Sequence, residues 1–219
     1  MTNSARQVLS QTQAELTPLP GANRLVALVA DGTAPVSAIG ALAAEEKYII
    51  ASDWRAFLTL AARAEDPATR QFFSFLAGGE SLALDLLVPL AEAAGADMDA
   101  HTPQAGCQAY ASYVASLALN ASPVDAVLAL FANFAAWGEY CAAISASLRA
   151  NYGFDDRACG FLDFFATPVP EPEQYALAAI QTALYNGWEP GEARRHGRLL
   201  LDYELMFWNT LAGTTDTPD

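Results

Sequence analysis

Two stretches, "PATRQFFSFLAGGESLALDLLVPLAEAAGA" and "SPVDAVLALFANFAAWGEYCAAISASLRANYG", run for many turns on alanine, leucine and aromatic residues with scarcely a β-branched side chain. Nowhere does the chain alternate apolar and polar residues as a half-buried strand must. Apolar residues recurring at three- and four-residue spacing over such lengths have one outlet, which is helices packed on one another. Pro, Gly and Asp punctuate the rest in the same manner. "GANRLVALVADG" reads as a short helix closed by Gly32, and "APVSAIGALAAEEKYIIASDWRAFLTLAARA" as a long one starting near Pro35. The stretch "PATRQFFSFLAGGESLALDLLVPLAEAAGA" reads as a helix broken or bent at Gly78-Gly79. Further helices are expected in "TPQAGCQAYASYVASLALN", in the "SPVDAVL…" stretch with Ser122 as N-cap, and in "DDRACGFLDFFAT", "PEQYALAAIQTALYNG" and "EPGEARRHGRLLLDYELMFWNTLAG". The expectation is one all-α domain over residues 1–219, a bundle of seven or eight helices with its core at about 20–213 and flexible ends.

Composition then limits what the bundle can do. Lys plus Arg number 11 against 25 Asp plus Glu, a formal net charge of −14. An electrostatic grip on phosphate backbones or anionic lipid is excluded, so neither nucleic acid nor a membrane surface is an expected partner. A neutral or cationic small ligand suits the acidity better. Cys107, Cys141 and Cys159 cannot all pair, match no metal spacing, and read as free thiols of a reducing compartment. "MTNSARQVLSQTQAEL" has no apolar run of a signal peptide, and no window is read as apolar enough to cross a bilayer. These readings make the expected location cytoplasmic.

Polar residues inside apolar helices carry the functional information. Leu42, Glu46, Ile49 and Asp53 share one helical face; so do Leu130, Asn133, Trp137 and Tyr140, and Leu200, Glu204, Phe207 or Trp208, and Leu211. Carboxylates and amides are buried only with partners or in a pocket. Structural alternatives stand beside that reading. Glu46 fits a solvated "EEK" face, Glu204 fits a salt bridge to another helix, Asn133 fits a hydrogen bond to neighbouring backbone, and Tyr110 fits a core aromatic.

With these residues in view, the chain resembles the TenA / thiaminase II family, whose fold is the haem-oxygenase-like helical bundle. "YELMFWNTLA" is similar to the closing Glu-x-x-Phe-Trp pattern of that family, here Glu204, Phe207 and Trp208. "YASYVASLALNASPVDAVLALFANFAAWGEY" lies without a gap over a Tyr, a small-residue helix, a turn and a helix reading Ala-x-Leu-Pro-Cys-x-Trp-x-Tyr-x-Glu. "GTAPVSAIGALAAEEKYI" is similar to Gly-x-Leu-Pro…Phe…Gln-Asp-x-Tyr.

The resemblance implies an aminopyrimidine ligand related to thiamin breakdown. By position, Glu46 replaces the Asp that holds the ring amino group, Glu204 matches the acid/base carboxylate, and Tyr110 matches a pocket tyrosine. Trp137 and Phe165 stand where the family has tyrosines, and Asn133 stands where it has the nucleophilic Cys. An amide cannot form the covalent adduct of a thiolate, so classical thiaminase II activity is not expected. If the chain is an enzyme, the resemblance points to aminopyrimidine hydrolysis by Glu204, with Asn133 orienting substrate or water. The alternatives are a non-catalytic binding or regulatory protein, or another enzyme on the same bundle. No cofactor or metal is expected, because His101 and His196 belong to no Glu-x-x-His set. A homodimer or homotetramer is implied.

Overall fold

A computed structural model describes residues 4–213. Among them nine α-helices follow one another with no strand: α1 Ala5–Glu15, α2 Arg24–Ala30, α3 Val36–Arg63, α4 Pro67–Ala93, α5 Ala105–Asn120, α6 Pro123–Tyr152, α7 Asp156–Ala166, α8 Pro170–Tyr185 and α9 Gly191–Gly213. The all-α, single-domain bundle read from the sequence is the fold found.

Start and stop signals act largely where the sequence places them. Asn23, Asp66 and Asp155 each accept a backbone N–H of the first turn that follows. Gly32 and Gly153 turn the chain at φ 67° and 74°, a left-handed conformation that costs any residue with a Cβ. Ser122 occupies the N-cap of α6, but its hydroxyl makes no capping bond. Helix α4 runs unbroken through Gly78-Gly79, because tertiary packing on α3 and α7 outweighs two glycines of weak propensity. At the amino end, which was expected to fray, residues from Ala5 onward form a helix. Ser4 and Gln7 make a reciprocal capping box, and Val8, Leu9 and Thr12 are buried. The tail "TTDTPD" lies outside the described residues.

Helix α3 packs along α4 and α5; α6 packs on α7 and α9; α5 meets α9, and α4 also meets α7 and α8. Two helices, α4 and α6, are long and apolar enough to cross a membrane by length and composition, contrary to the reading from sequence. Their alanine and leucine content produces that property, and both lie in the bundle against neighbouring helices.

The interior is two apolar cores stacked end to end. The first gathers α1, α8, the amino half of α6 and residues such as Leu60, Phe72, Phe73 and Leu117. The second gathers α2, α7, the carboxyl half of α6 and residues such as Leu42, Leu87, Phe207 and Trp208. Every long helix therefore passes from one core to the other at mid-height. On α3 the change falls between Ile50 and Ala56, on α4 between Ala77 and Ala83, on α6 between Ala132 and Cys141, and on α9 between Leu200 and Phe207. Tyr110 of α5 packs against both.

Candidate functional site

The residues at those crossover points are polar. Asp53 on α3, Glu80 on α4, Asn133 on α6 and Glu204 on α9 each interrupt the apolar run where their helix changes core. Glu46, two turns before Asp53, extends the layer toward the second core. Glu46, Asp53, Asn133 and Glu204 are buried at 4–5% exposure, while Glu80 and Tyr110 are half-buried.

Electrostatics ties these side chains into one group. Burial, then Asp53, Glu204 and Glu45, hold the Glu46 carboxyl well above the ordinary carboxylate range. Burial pushes Asp53 up as well. Glu80 is raised by burial, then by Asp53 and Glu46. Glu204 is pushed up to about 8 by burial, against the opposing hydrogen bond from Trp208 Nε1 at 3.4 Å. Burial, then Asp53, Glu204, Glu80 and Glu46, raise the Tyr110 hydroxyl. No Lys, Arg or His acts on Glu46, Asp53, Glu80 or Tyr110 among the described residues. Ionised carboxylates taken from water without a counter-charge are very costly. Burial without a counter-charge therefore favours the protonated form of each of these acids.

An aromatic wall stands beside Glu204. Trp137 lies 5.0 Å from Trp208, 6.2 Å from Phe207 and 5.7 Å from Phe165, centroid to centroid, and Tyr140 closes on Trp208 at 6.0 Å. Trp137 and Phe165 are half-buried, so the wall reaches from the interior toward the surface. Surface hollows beside Tyr152 and beside Ser37 are lined by none of the layer's carboxyls.

The structure removes two structural alternatives left open by the sequence, those for Glu46 and Glu204, and bears out the backbone hydrogen bond suggested for Asn133. The "EEK" segment is not a solvated face: Glu45 is fully buried, Glu46 nearly so, and only Lys47 reaches out to Asp99. Glu45 Oε1 instead accepts from His101 Nε2 and from the Gln104 N–H, both at 2.7 Å, and its Oε2 accepts from Gln108 Nε2 at 2.5 Å. His101, on the loop between α4 and α5, thus pins that loop to α3 one residue before Glu46. Glu204 forms no salt bridge among the described residues, because Arg194, Arg195 and Arg198 turn to Glu15 and Glu192.

Asn133 donates Nδ2 to the Ala129 carbonyl at 2.8 Å and to the Gly197 carbonyl of α9 at 3.1 Å. Its Nδ2 is thereby committed to a cross-tie between α6 and α9. Its Oδ1 is buried with no hydrogen-bond partner among the described residues, so any part Asn133 takes in chemistry falls to that acceptor. Phe165 packs on Trp137, Phe161 and Phe164.

Sequence reasoning missed Glu80 and undervalued Asp53 and Cys141. Asp53 carried a signal, seven residues from Glu46 on the same face, whereas Glu80 in "AGGESLAL" carried none. Cys141 is too far along α6 to replace Asn133, yet its fully buried thiol is acted on by Glu46 and Glu204. Burial and those two carboxyls raise it, and burial with Glu45 and Glu46 raises Cys107, so both remain thiols rather than nucleophilic thiolates. No group of three or more His, Cys, Asp and Glu able to hold a metal ion occurs among the described residues.

Comparison with known proteins agrees with this architecture. The profile of the TENA/THI-4/PQQC family matches residues 24–163. A TenA homologue from Pseudomonas syringae pv. tomato superposes with a TM-score of 0.72 at 15% identity, over 95% of this chain and 91% of that one. A TenA homologue from P. horikoshii does so with 0.65 at 18% identity, over 94% and 95%. A Shewanella denitrificans domain of unknown function with a haem-oxygenase-like fold gives 0.70 at 11% identity, over 95% and 90%. The fold is thus the haem-oxygenase-like bundle. No curated protein matches the sequence.

Proposed function

The chain belongs to the TENA/THI-4/PQQC family, and from that premise we propose that it binds an aminopyrimidine related to thiamin breakdown and hydrolyses it without a covalent intermediate. One observation carries this reading: Glu46 and Glu204 are buried together beside an aromatic wall, with no cation among the described residues to neutralise them. In this reading a flat ring lies against the aromatic wall of Trp137, and its protonated or amino nitrogen satisfies Glu46.

Glu204, pushed up to about 8, carries a proton at neutral pH and so begins as an acid. In the step proposed, the bond from the substrate carbon to its leaving amine breaks as water oxygen bonds to that carbon. The Glu204 proton passes to the amine. The resulting carboxylate takes a proton from the water, which restores the acid and leaves an alcohol and ammonia. The raised thiols of Cys107 and Cys141 and the amide at position 133 support a route through water.

A binding-only protein is the second reading, and it is favoured by the commitment of the Asn133 amide to Gly197. Tryptophan fluorescence of Trp137 and Trp208 during titration with an aminopyrimidine, paired with ammonia release, separates the two. Saturable quenching with turnover that Glu204→Gln abolishes supports hydrolysis. Quenching without turnover at any pH leaves a binding protein. Neither signal refutes both. As to partners, a homo-oligomer is proposed, supported by Trp54, Leu58, Phe75, Leu82 and Val88, which α3 and α4 leave exposed. Light scattering on the purified chain tests it, and a monomeric mass refutes it.

A further inference from the structure

Away from the buried acids, a histidine stands in the wall of a surface hollow with a carboxylate buried behind it. The hollow has a volume of about 370 Å³ and lies between the start of α3 and the loop that joins α4 to α5. That falls within the roughly 300–1,000 Å³ that small-molecule pockets occupy. Gly40, Ala41 and Ala44 of α3 line one side, and Ala96, Asp97 and His101 of the loop line the other. The walls are thus mostly methyl groups and backbone. Gly40 permits the close approach, since a Cβ there would stand 2.9 Å from the Ala96 methyl. His101 is held by Glu45, which is fully buried and accepts from His101 Nε2, the Gln104 N–H and Gln108 Nε2 at 2.7, 2.7 and 2.5 Å. An ionised carboxylate only accepts. The proton of the neutral ring therefore sits on Nε2, and the lone pair is left on Nδ1. Nδ1 makes no hydrogen bond among the described residues. The side chain is 18% exposed and lines the hollow, so Nδ1 is the one polar atom the ring has left for whatever enters. Anchoring the loop does not call for that second nitrogen, because Gln104 and Gln108 already fasten the start of α5 to the same carboxylate.

We propose that this hollow is a second small-molecule site, in which His101 Nδ1 accepts a hydrogen bond from a neutral, flat ligand of the phenol class. Methyl walls suit the face of a ring and do not repay the desolvation of a cation. An anion is disfavoured by the Asp97 carboxylate, whose Oδ1 already accepts from the Asp99 and Ala100 N–H groups, and by the net charge of −14. The hollow shares no lining residue with the layer of Glu46, Asp53, Asn133 and Glu204, so this site stands whether or not that layer binds an amine.

The chain has two histidines, His101 and His196, so their ring nitrogens can be followed one by one. The test is ring-nitrogen NMR of the full chain at pH 8, above the ordinary histidine range, together with isothermal titration of phenol, anisole and benzoate. His101→Gln removes one set of ring signals and so assigns them. The expected result is a proton on Nε2 and none on Nδ1 of His101. Phenol should shift the Nδ1 signal saturably and bind at least tenfold tighter than anisole, which keeps the ring but has no donor; benzoate should leave the signal unmoved. His101→Gln keeps a donor for Glu45 but lacks the ring, and it should bring phenol to within twofold of anisole. Ala41→Leu fills the hollow and should do the same while leaving the His101 tautomer unchanged. Either variant decides the matter if the other fails to fold. A protonated Nδ1, equal affinity for phenol and anisole, or a phenol preference that survives either substitution overturns the site.

Discussion

Replacing Glu204 by Gln should make the protein more stable at pH 8 and change it little at pH 5. In the unfolded chain this carboxyl titrates near 4.5; in the fold it is pushed up to about 8. A folded-state value above the unfolded one means that the native state binds the extra proton. Stability is then fully present below about 4.5 and is lost as pH rises toward about 8. At about 1.4 kcal/mol per unit, that loss amounts to about 4 kcal/mol by pH 8 for a fully buried group. Asp53 and Glu46, raised in the same direction, steepen the same limb. Asp163, held below its ordinary value by Arg149, acts in the opposite sense, and only toward the acid end.

Glutamine keeps an oxygen for Trp208 Nε1 to donate to, fills the same volume, and cannot ionise. Urea unfolding at pH 5, 6.5 and 8 should show wild-type stability falling across the series. The Gln variant should fall less, ending up to about 4 kcal/mol above wild type at pH 8, or about 10 °C in Tm for a chain of this size. Parallel slopes, or a wild type that gains stability from pH 5 to 8, would show that Glu204 is ionised and compensated in the fold, and the reasoning would fail.

Four further outcomes are expected. Asn133→Ala strips the donor from the Gly197 carbonyl and should cost about 1–3 kcal/mol in urea unfolding. Gly106→Ala drives a Cβ into the Thr210 side chain where α5 meets α9, and about 1–3 kcal/mol should be lost, read as a lower Tm. His101→Ala leaves the fully buried Glu45 carboxylate short of a donor; limited proteolysis should then cut faster between α4 and α5, and an unchanged rate would refute the pin. The three thiols, all fully buried and all raised, should resist a disulfide reagent at pH 8 until denaturant is added, when all three react.

How much of this was legible in the sequence differs by residue. Helices α2, α3, α5, α6, α7 and α9 follow from apolar spacing and from Pro, Gly and Asp, because those signals act within a few residues of themselves. Glu46, Asn133 and Glu204 were visible as polar interruptions of apolar runs. Glu80 was not, since "AGGESLAL" reads as an ordinary exposed turn of helix; its place is set by where α4 crosses α3. The burial of Glu45 was not legible, because its partners, His101, Gln104 and Gln108, lie more than fifty residues away. Helix α1 was missed because its mean polarity is high and its apolar stripe is narrow; docking on α8 and α6 orders it.

The sequence by itself determined the class of fold and its limits: an acidic, alanine- and leucine-rich chain with no strand pattern can bury its apolar stripes only as a bundle. Its resemblance to a family pattern further implied site roles for the carboxylates at 46 and 204 and for the amide at 133. Only the tertiary structure decided that Asp53, Glu80 and Glu204 fall at one height, where five helices change from one core to another, and that no cation among the described residues accompanies them. Helical periodicity fixes which face a residue occupies. The level at which separate helices meet is fixed by packing between distant segments, and burial without a counter-charge is what makes three carboxyls at that level a candidate site.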